Sequence, residues 1–212
     1  MFSDYNSLEE AYNFFNEKLF EGKLEPVIIT LVRKKGSLGF FRLKSFTAKG
    51  REDKASELAL NPDGLDRTDL EILSTLVHEM CHKAQYQYGN PSRPGYHNKE
   101  WGAMMESLGL MPSSTGMEGG KRTGQKMTHY IIPGGRFEIL ALKYIEDGFK
   151  LNWAGITAGL AGLLKPAAKK AKSKVKYTCP ECKLNAWAKP EAPLMCGICR
   201  VDMESEDIDD GD

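Results

Sequence analysis

A small β-sheet packed on a long buried helix, with a separate zinc ribbon after it, is the α+β architecture that this 212-residue sequence predicts. Three features carry the prediction. Residues 68–88 hold apolar side chains at helical spacing with no Pro or Gly inside, residues 27–61 hold short β-branched segments punctuated by glycine, and two Cys-x-x-Cys pairs stand thirteen residues apart near the C-terminus.

In chain order, Ser7-x-x-Glu10 reads as a capping box, and Leu8, Ala11, Tyr12, Phe15 and Leu19 form one apolar stripe. A first helix is therefore expected, ending near residues 20–22. Pro26 introduces a β-branched strand over residues 27–32. Gly36 and Gly39 mark a hairpin whose return strand carries Phe40, Phe41, Leu43 and Phe46, and residues 57–61 read as one more short strand. The long helix follows. Thr68-x-x-Glu71 caps it, Leu70, Leu73, Leu76, Val77, Met80, Cys81 and Ala84 line it, and Gly89-Asn90-Pro91 stops it. Residues 98–108 read as a short amphipathic helix ended by Gly109. The glycine-rich residues 112–125 lack an apolar period and read as a mobile loop, a candidate lid. A strand is expected over 127–132 and a helix or extended turn over 136–145.

Within the long helix stands His78-Glu79-Met80-Cys81-His82. Positions i and i+4 share a helical face, so both imidazoles can reach one point. Two neutral imidazoles one turn apart suit zinc, and a glutamate beside the first is placed as general base for a water that the metal activates. A catalytic zinc usually takes three protein ligands. His97, beyond a bend with Gly89, Pro91, Pro94 and Gly95, is the favoured third, and Glu100 is its competitor. Helix, small sheet, then the His-Glu helix is the order a zincin needs. The compact variant with glycine at position 85 and histidine at position 88 is excluded by Gln85 and Tyr88. His129 reads as an ordinary packed residue, with stabilisation of an oxyanion as the alternative. Cys81 reads as a buried, inert thiol.

Cys179, Cys182, Cys196 and Cys199 can supply four thiolates to a second zinc, and a filled tetrahedron makes that site structural. So short a module has no room for a hydrophobic core, so the metal must supply much of its folding energy. Tyr177 and Trp187, with Lys183 and Lys189, read equally as a stacking platform for single-stranded nucleic acid or as the closure of a very small core.

The His motif, the run Gly95-Tyr96-His97-Asn98-Lys99-Glu100-Trp101 and the paired cysteines together resemble the SprT-like family, the Spartan-type metalloproteases associated with DNA–protein crosslink repair. The resemblance covers residues 7–200 in layout. It implies a zincin-like metalloprotease domain with His78, His82 and His97 as zinc ligands and Glu79 as base. More loosely, it implies activity on proteins attached to DNA.

Twenty-nine Lys and Arg balance twenty-nine Asp and Glu, so bulk charge gives no case for a nucleic-acid partner. A local case exists. Residues 165–200 carry nine basic and two acidic side chains, whereas residues 202–212 carry seven acidic and none basic. Lys169, Lys170, Lys172, Lys174 and Lys176, with Trp187, are the candidate contacts to single-stranded DNA. Residues 33–54, with eight basic side chains against two acidic, read as a solvated face or as a phosphate-facing surface beside the cleft. The N-terminus lacks the basic and apolar regions of a signal peptide, no apolar run is long enough for a membrane, and the cysteine pattern suits a reducing compartment. A cytoplasmic location is expected, nucleoid-associated if the protein is directed to DNA.

The expected organisation is a zincin-like metalloprotease domain at residues 1–164, a Lys-rich linker at 165–176, a four-cysteine zinc ribbon at 177–201 and an acidic tail at 202–212. The expected function is that of a zinc endopeptidase acting on DNA-associated or DNA-crosslinked proteins. It would be a monomer with two zinc ions, protein substrates and single-stranded DNA as a partner. Two other readings stand beside it: a non-proteolytic, transcription-associated or nucleic-acid-binding zinc protein, and a zinc peptidase unrelated to DNA.

Overall fold

The computed structural model describes residues 4–155, 175–189 and 191–205. The chain separates into two compact units, Met1–Leu164 and Lys165–Asp212. The candidate DNA contacts Lys169, Lys170, Lys172 and Lys174, and the tail beyond residue 205, lie outside the described residues.

Helix α1 spans Asp4–Phe20 and buries the predicted stripe of Leu8, Ala11, Tyr12, Phe15 and Leu19. It begins a turn before the capping box expected at Ser7. The buried Asp4 carboxylate accepts the backbone N–H groups of Asn152 and Trp153, so a contact 148 residues away sets the helix start.

Strands β1 (Val27–Leu31), β2 (Gly39–Thr47) and β3 (Lys54–Leu60) form one sheet in the order β1-β3-β2. β1 pairs with β3 in parallel, from Val27 opposite Ser56 to Leu31 opposite Leu60, and β2 pairs with β3 antiparallel. This corrects the hairpin expected at Gly36 and Gly39. The connection between β1 and β2 instead passes over β3, the most deeply buried strand. Seven residues suffice, because two strand spacings are only about 10 Å. Asn61, just past β3, holds the crossing: its side-chain amide donates to the carbonyls of Lys34 and Ser37, and its backbone N–H donates to Leu38. The sheet turns between β2 and β3 at Gly50, and a register shift between Arg42 and Phe46 bends β2. β2 is left as an edge strand.

Helix α2 runs over Asp69–Tyr88 with both halves of the predicted capping box in place. Ten consecutive residues, from Ile72 to Cys81, are buried. Asn98 caps α3 (Lys99–Leu108), and Gly109 ends it at φ +97°, where a Cβ would stand 2.9 Å from the Phe137 nitrogen. β4 (Leu110–Ser113) and β5 (Thr128–Ile131) then form a hairpin, followed by α4 (Arg136–Glu146). All four helices and the first sheet share one core, in which Phe15, Leu58, Leu76, Trp101 and Phe137 are fully buried. The glycine-rich segment joining β4 to β5 is tied down rather than free. Ser114 and Lys121 bond across it, the Ser113 hydroxyl donates to the Met117 carbonyl, and Gly124 exchanges two backbone hydrogen bonds with His97.

In the second unit, β6 (Val175–Thr178) lies between β7 (Asn185–Ala188) and β8 (Glu204–Ser205). The two aromatic residues differ in their surroundings. Tyr177 is buried, donating its hydroxyl proton to the Lys189 carbonyl and accepting the Ala192 N–H, whereas Trp187 is 62% exposed. Among the described residues no helix is long and apolar enough to cross a membrane.

The reciprocal cap at Thr68 holds the start of the buried helix. Thr68→Ala is expected to lower unfolding stability by about 1 kcal/mol, measured by urea titration of the helical circular dichroism. An unchanged midpoint would mean that packing alone fixes the first turn.

Candidate metal centres

His78 and His82 project from the same face of α2 with ring centroids 5.2 Å apart. His97 precedes α3 and reaches the same point, its Nε2 lying 3.1 Å from Nε2 of His82. One ring nitrogen from each of the three lies within 4.8 Å of the others. Two nitrogens bound tetrahedrally to zinc at 2.0–2.1 Å would stand about 3.4 Å apart, close to the spacing of the His82 and His97 pair.

Each imidazole is positioned by its surroundings. The Trp101 indole, fully buried one turn into α3, stacks on His82 at an interplanar angle of 17° and meets His78 and His97 edge-on. His97 is fixed by its loop: Gly124 exchanges backbone hydrogen bonds with it, and the same Gly124 carbonyl lies 3.1 Å from Nδ1. Gly124 sits at φ +151°, a region that disfavours a side chain. Glu100, the competing ligand, is engaged elsewhere. Its carboxylate accepts from the Gln85 side chain at 2.7 Å and from the Asn90 backbone at 2.8 Å, packed where a Cβ on Gly89 would collide with it.

Glu79 is buried and lines the same cleft, a cavity of about 610 Å³. Residues 36–41 form one wall, and Lys126, Met127 and Thr128 form the other. Gly39, the first residue of β2, lies directly against Glu79. A Cβ there would stand 3.1 Å from both Cγ and Oε1 of the glutamate and 2.9 Å from the Ala59 carbonyl. The absence of a side chain at 39 is thus what lets Glu79 sit at the cleft floor. Gly39, Trp101 and Gly124 were not legible as site residues, because their roles depend on approaches between segments far apart in sequence.

Burial governs the charge states. It draws His82 down to about 3 and His129 to about 4, and it lowers His78 and His97 as well, helped at His78 by the neighbouring imidazoles. All four rings are therefore neutral at pH 7, the form that can ligate a metal. Burial pushes the Glu79 carboxyl up to about 8, opposed by the Lys34 ammonium, so this carboxylate holds a proton readily. Cys81, on the same helix, is driven above its ordinary range by burial and then by Glu79, as expected of an inert thiol.

In the second unit, Cys179, Cys182, Cys196 and Cys199 bring their sulfurs together. The Cys182 and Cys196 sulfurs are 3.7 Å apart, against about 3.8 Å for a tetrahedral zinc with 2.3 Å bonds. The two knuckles repeat one geometry. Cys179 and Cys196 each accept a backbone N–H from the residue four positions on, Lys183 and Arg200, and both of those adopt positive φ. Backbone N–H groups of Cys199 and Ile198 lower the Cys196 thiol to about 7, whereas hydrogen bonding with Cys182 drives Cys199 up to about 12. Crowded sulfurs resist carrying several negative charges at once, a conflict that a divalent cation relieves. Of the candidate nucleic-acid contacts, Lys176 and Trp187 are described and stand opposite each other on β6 and β7.

The shifts at the His cluster have opposite signs and set a stability profile for the metal-stripped chain. The histidines are depressed in the folded state below an unfolded value of about 6.5, so their contribution is lost as pH falls from there, through about 4 for His129 and about 3 for His82. Glu79 is raised, so its contribution is lost as pH rises from about 4.5 through 8. Stability should peak near pH ~6.5, and Glu79→Gln should flatten the alkaline limb, as read by urea unfolding after chelation. A wild-type profile that still rises between pH 6.5 and 8 would contradict the burial of the carboxyl.

Residues 8–124, more than half of the chain, match the model of the SprT-like family. A Salmonella typhimurium protein described as "Uncharacterized protein in mucB 3'region" is 50% identical over 48 residues, which make up 23% of this chain and 62% of that protein. No solved structure matches the chain at a significant level. The paired imidazoles of α2, the third from the following bend and the extent of the family match converge on one statement: the chain belongs to the SprT-like family.

Proposed function

We propose that the chain is a zinc-dependent endopeptidase of zincin type, with His78, His82 and His97 as ligands and Glu79 as general base. One observation carries this reading: three neutral imidazoles and a buried carboxyl with raised proton affinity converge on the floor of a single cleft. Family membership supports it.

A zinc ion on the three imidazoles would polarise a peptide carbonyl and acidify a water. Glu79, at the floor of the same cleft, would accept a proton at its carboxylate and return it to the leaving amine. Edge strand β2 offers unpaired main-chain groups along one cleft wall, where an extended peptide could add as a further strand. Recognition through the main chain fits an enzyme of weak sequence preference. The cysteine cluster is proposed as a closed, structural zinc site. For DNA-attached substrates the support is the family resemblance together with Trp187, exposed beside Lys176 on the ribbon sheet.

The purified chain is expected to carry two zinc ions. His78→Ala and Cys179→Ser should each remove one, as counted by elemental analysis. A single zinc indifferent to His78→Ala would refute the catalytic site. Glu79→Gln should keep both metals and lose about 10²–10⁴-fold of peptidase activity on a flexible protein; wild-type turnover by this variant would refute the mechanism. Single-stranded DNA should bind the full chain with an affinity that falls as salt rises, weaken with Trp187→Ala, and accelerate cleavage of a DNA-bound protein. Cleavage indifferent to DNA would leave a general zinc peptidase, and salt-sensitive DNA binding without cleavage would leave a non-proteolytic zinc protein.

A further inference from the structure

His78 stands between its two fellow candidate ligands and the fourth histidine. Its Nδ1 lies 3.1 Å from Nδ1 of His129, and Nε2 of His129 lies 2.9 Å from the Ser74 hydroxyl. That hydroxyl in turn donates to the Glu71 carbonyl at 2.8 Å. Ser74 and His78 are one turn apart on the same face of α2, so His129, presented by β5 across from Pro112, bridges successive turns of the metal-bearing helix. The group of three converging imidazoles does not include His129.

The end of this chain dictates its direction. A carbonyl oxygen can only accept, so the Ser74 proton points to Glu71 and the Ser74 oxygen is left to accept from Nε2–H of His129. A neutral imidazole protonated at Nε2 is a bare acceptor at Nδ1, so His78 must donate from its own Nδ1. His78 is then unprotonated at Nε2, with that lone pair free for the metal. Reversing every bond would place a proton on Nε2 of His78 and block ligation.

We propose that His129 is a positioning residue of the metal centre, which together with Ser74 holds His78 in the Nδ1–H tautomer and orients its ring. This inference rests on the reading of His78, His82 and His97 as a zinc site. It assigns the fourth histidine a place behind a ligand rather than against an oxyanion. His97 is served in the same way by the Gly124 carbonyl. A partner of this kind raises the basicity of a ligating imidazole and removes its freedom to rotate.

The test uses the full chain loaded with zinc, with the cysteine-bound zinc as internal reference. Competition with a chromophoric chelator should show His129→Phe weakening the His-site zinc about 10–100-fold, with His129→Gln, which keeps an acceptor and a donor, recovering part of the loss. Ser74→Ala should shift affinity in the same direction by less. Long-range ¹H–¹⁵N spectra of the wild-type imidazoles should show His78 protonated at Nδ1 and His129 at Nε2. Wild-type affinity in His129→Phe, or a proton on Nδ1 of His129, would overturn the proposal while leaving the zinc site standing. If His129→Phe does not fold, Ser74→Ala decides: an unaltered affinity and an unaltered His129 ring spectrum overturn it. Zinc content unaffected by His78→Ala would overturn the proposal together with the metal reading beneath it.

Discussion

Helix α2 is enclosed through nearly three turns, yet it carries Ser74, Thr75, His78, Glu79, Lys83 and Gln85 inside that enclosure. Burying a polar side chain costs free energy unless it finds a partner, and four of these, Ser74, His78, Lys83 and Gln85, find one on a distant segment. Lys83 takes Glu25 from ahead of β1 at 2.7 Å, Gln85 takes Asn98 and Glu100 from the start of α3, and Ser74 and His78 share His129 from β5. Glu79 faces the cleft beside the start of β2. The apolar side chains of α2 fix how tightly the unit packs. The polar ones decide which segments stand around the helix, and so where the cleft opens.

The same desolvation that demands partners sets the chemistry. Imidazoles removed from water stay neutral and ready to ligate, whereas a carboxyl removed from water keeps its proton to higher pH. The two candidate metal groups reach their donors differently. The imidazoles converge beside an extensive apolar core, at the floor of a cleft. The cysteines converge in a sheet of short strands around one buried tyrosine, and among the described residues no comparable core holds them.

Helix α2, with its cap, apolar stripe and His pair, was legible because period, capping and i,i+4 adjacency are local properties of the chain. The cysteine spacing was legible for the same reason, as were Asn98 and Gly109 at the ends of α3. What was not legible depended on long-range contacts. Ser7 offered a good cap, but Asp4 found the backbone of Asn152 and Trp153. Gly36 and Gly39 suggested a hairpin, but β1 and β2 each pair with the later, deeply buried β3 instead of with each other. The glycine-rich loop resembled a lid because nothing in its composition announces the pairing of Gly124 with His97. His129 showed no period or motif, and its place emerged only with the β4–β5 hairpin.

That pairing of Gly124 with His97 has a bearing on synthesis. A chain made from its N-terminus presents His78 and His82 first, as a pair of imidazoles on one helical face. The third imidazole stays untethered until the hairpin loop has left the ribosome some 27 residues later and closed back upon it. The cluster of three imidazoles is thus completed only after the loop that holds its third member has itself been made.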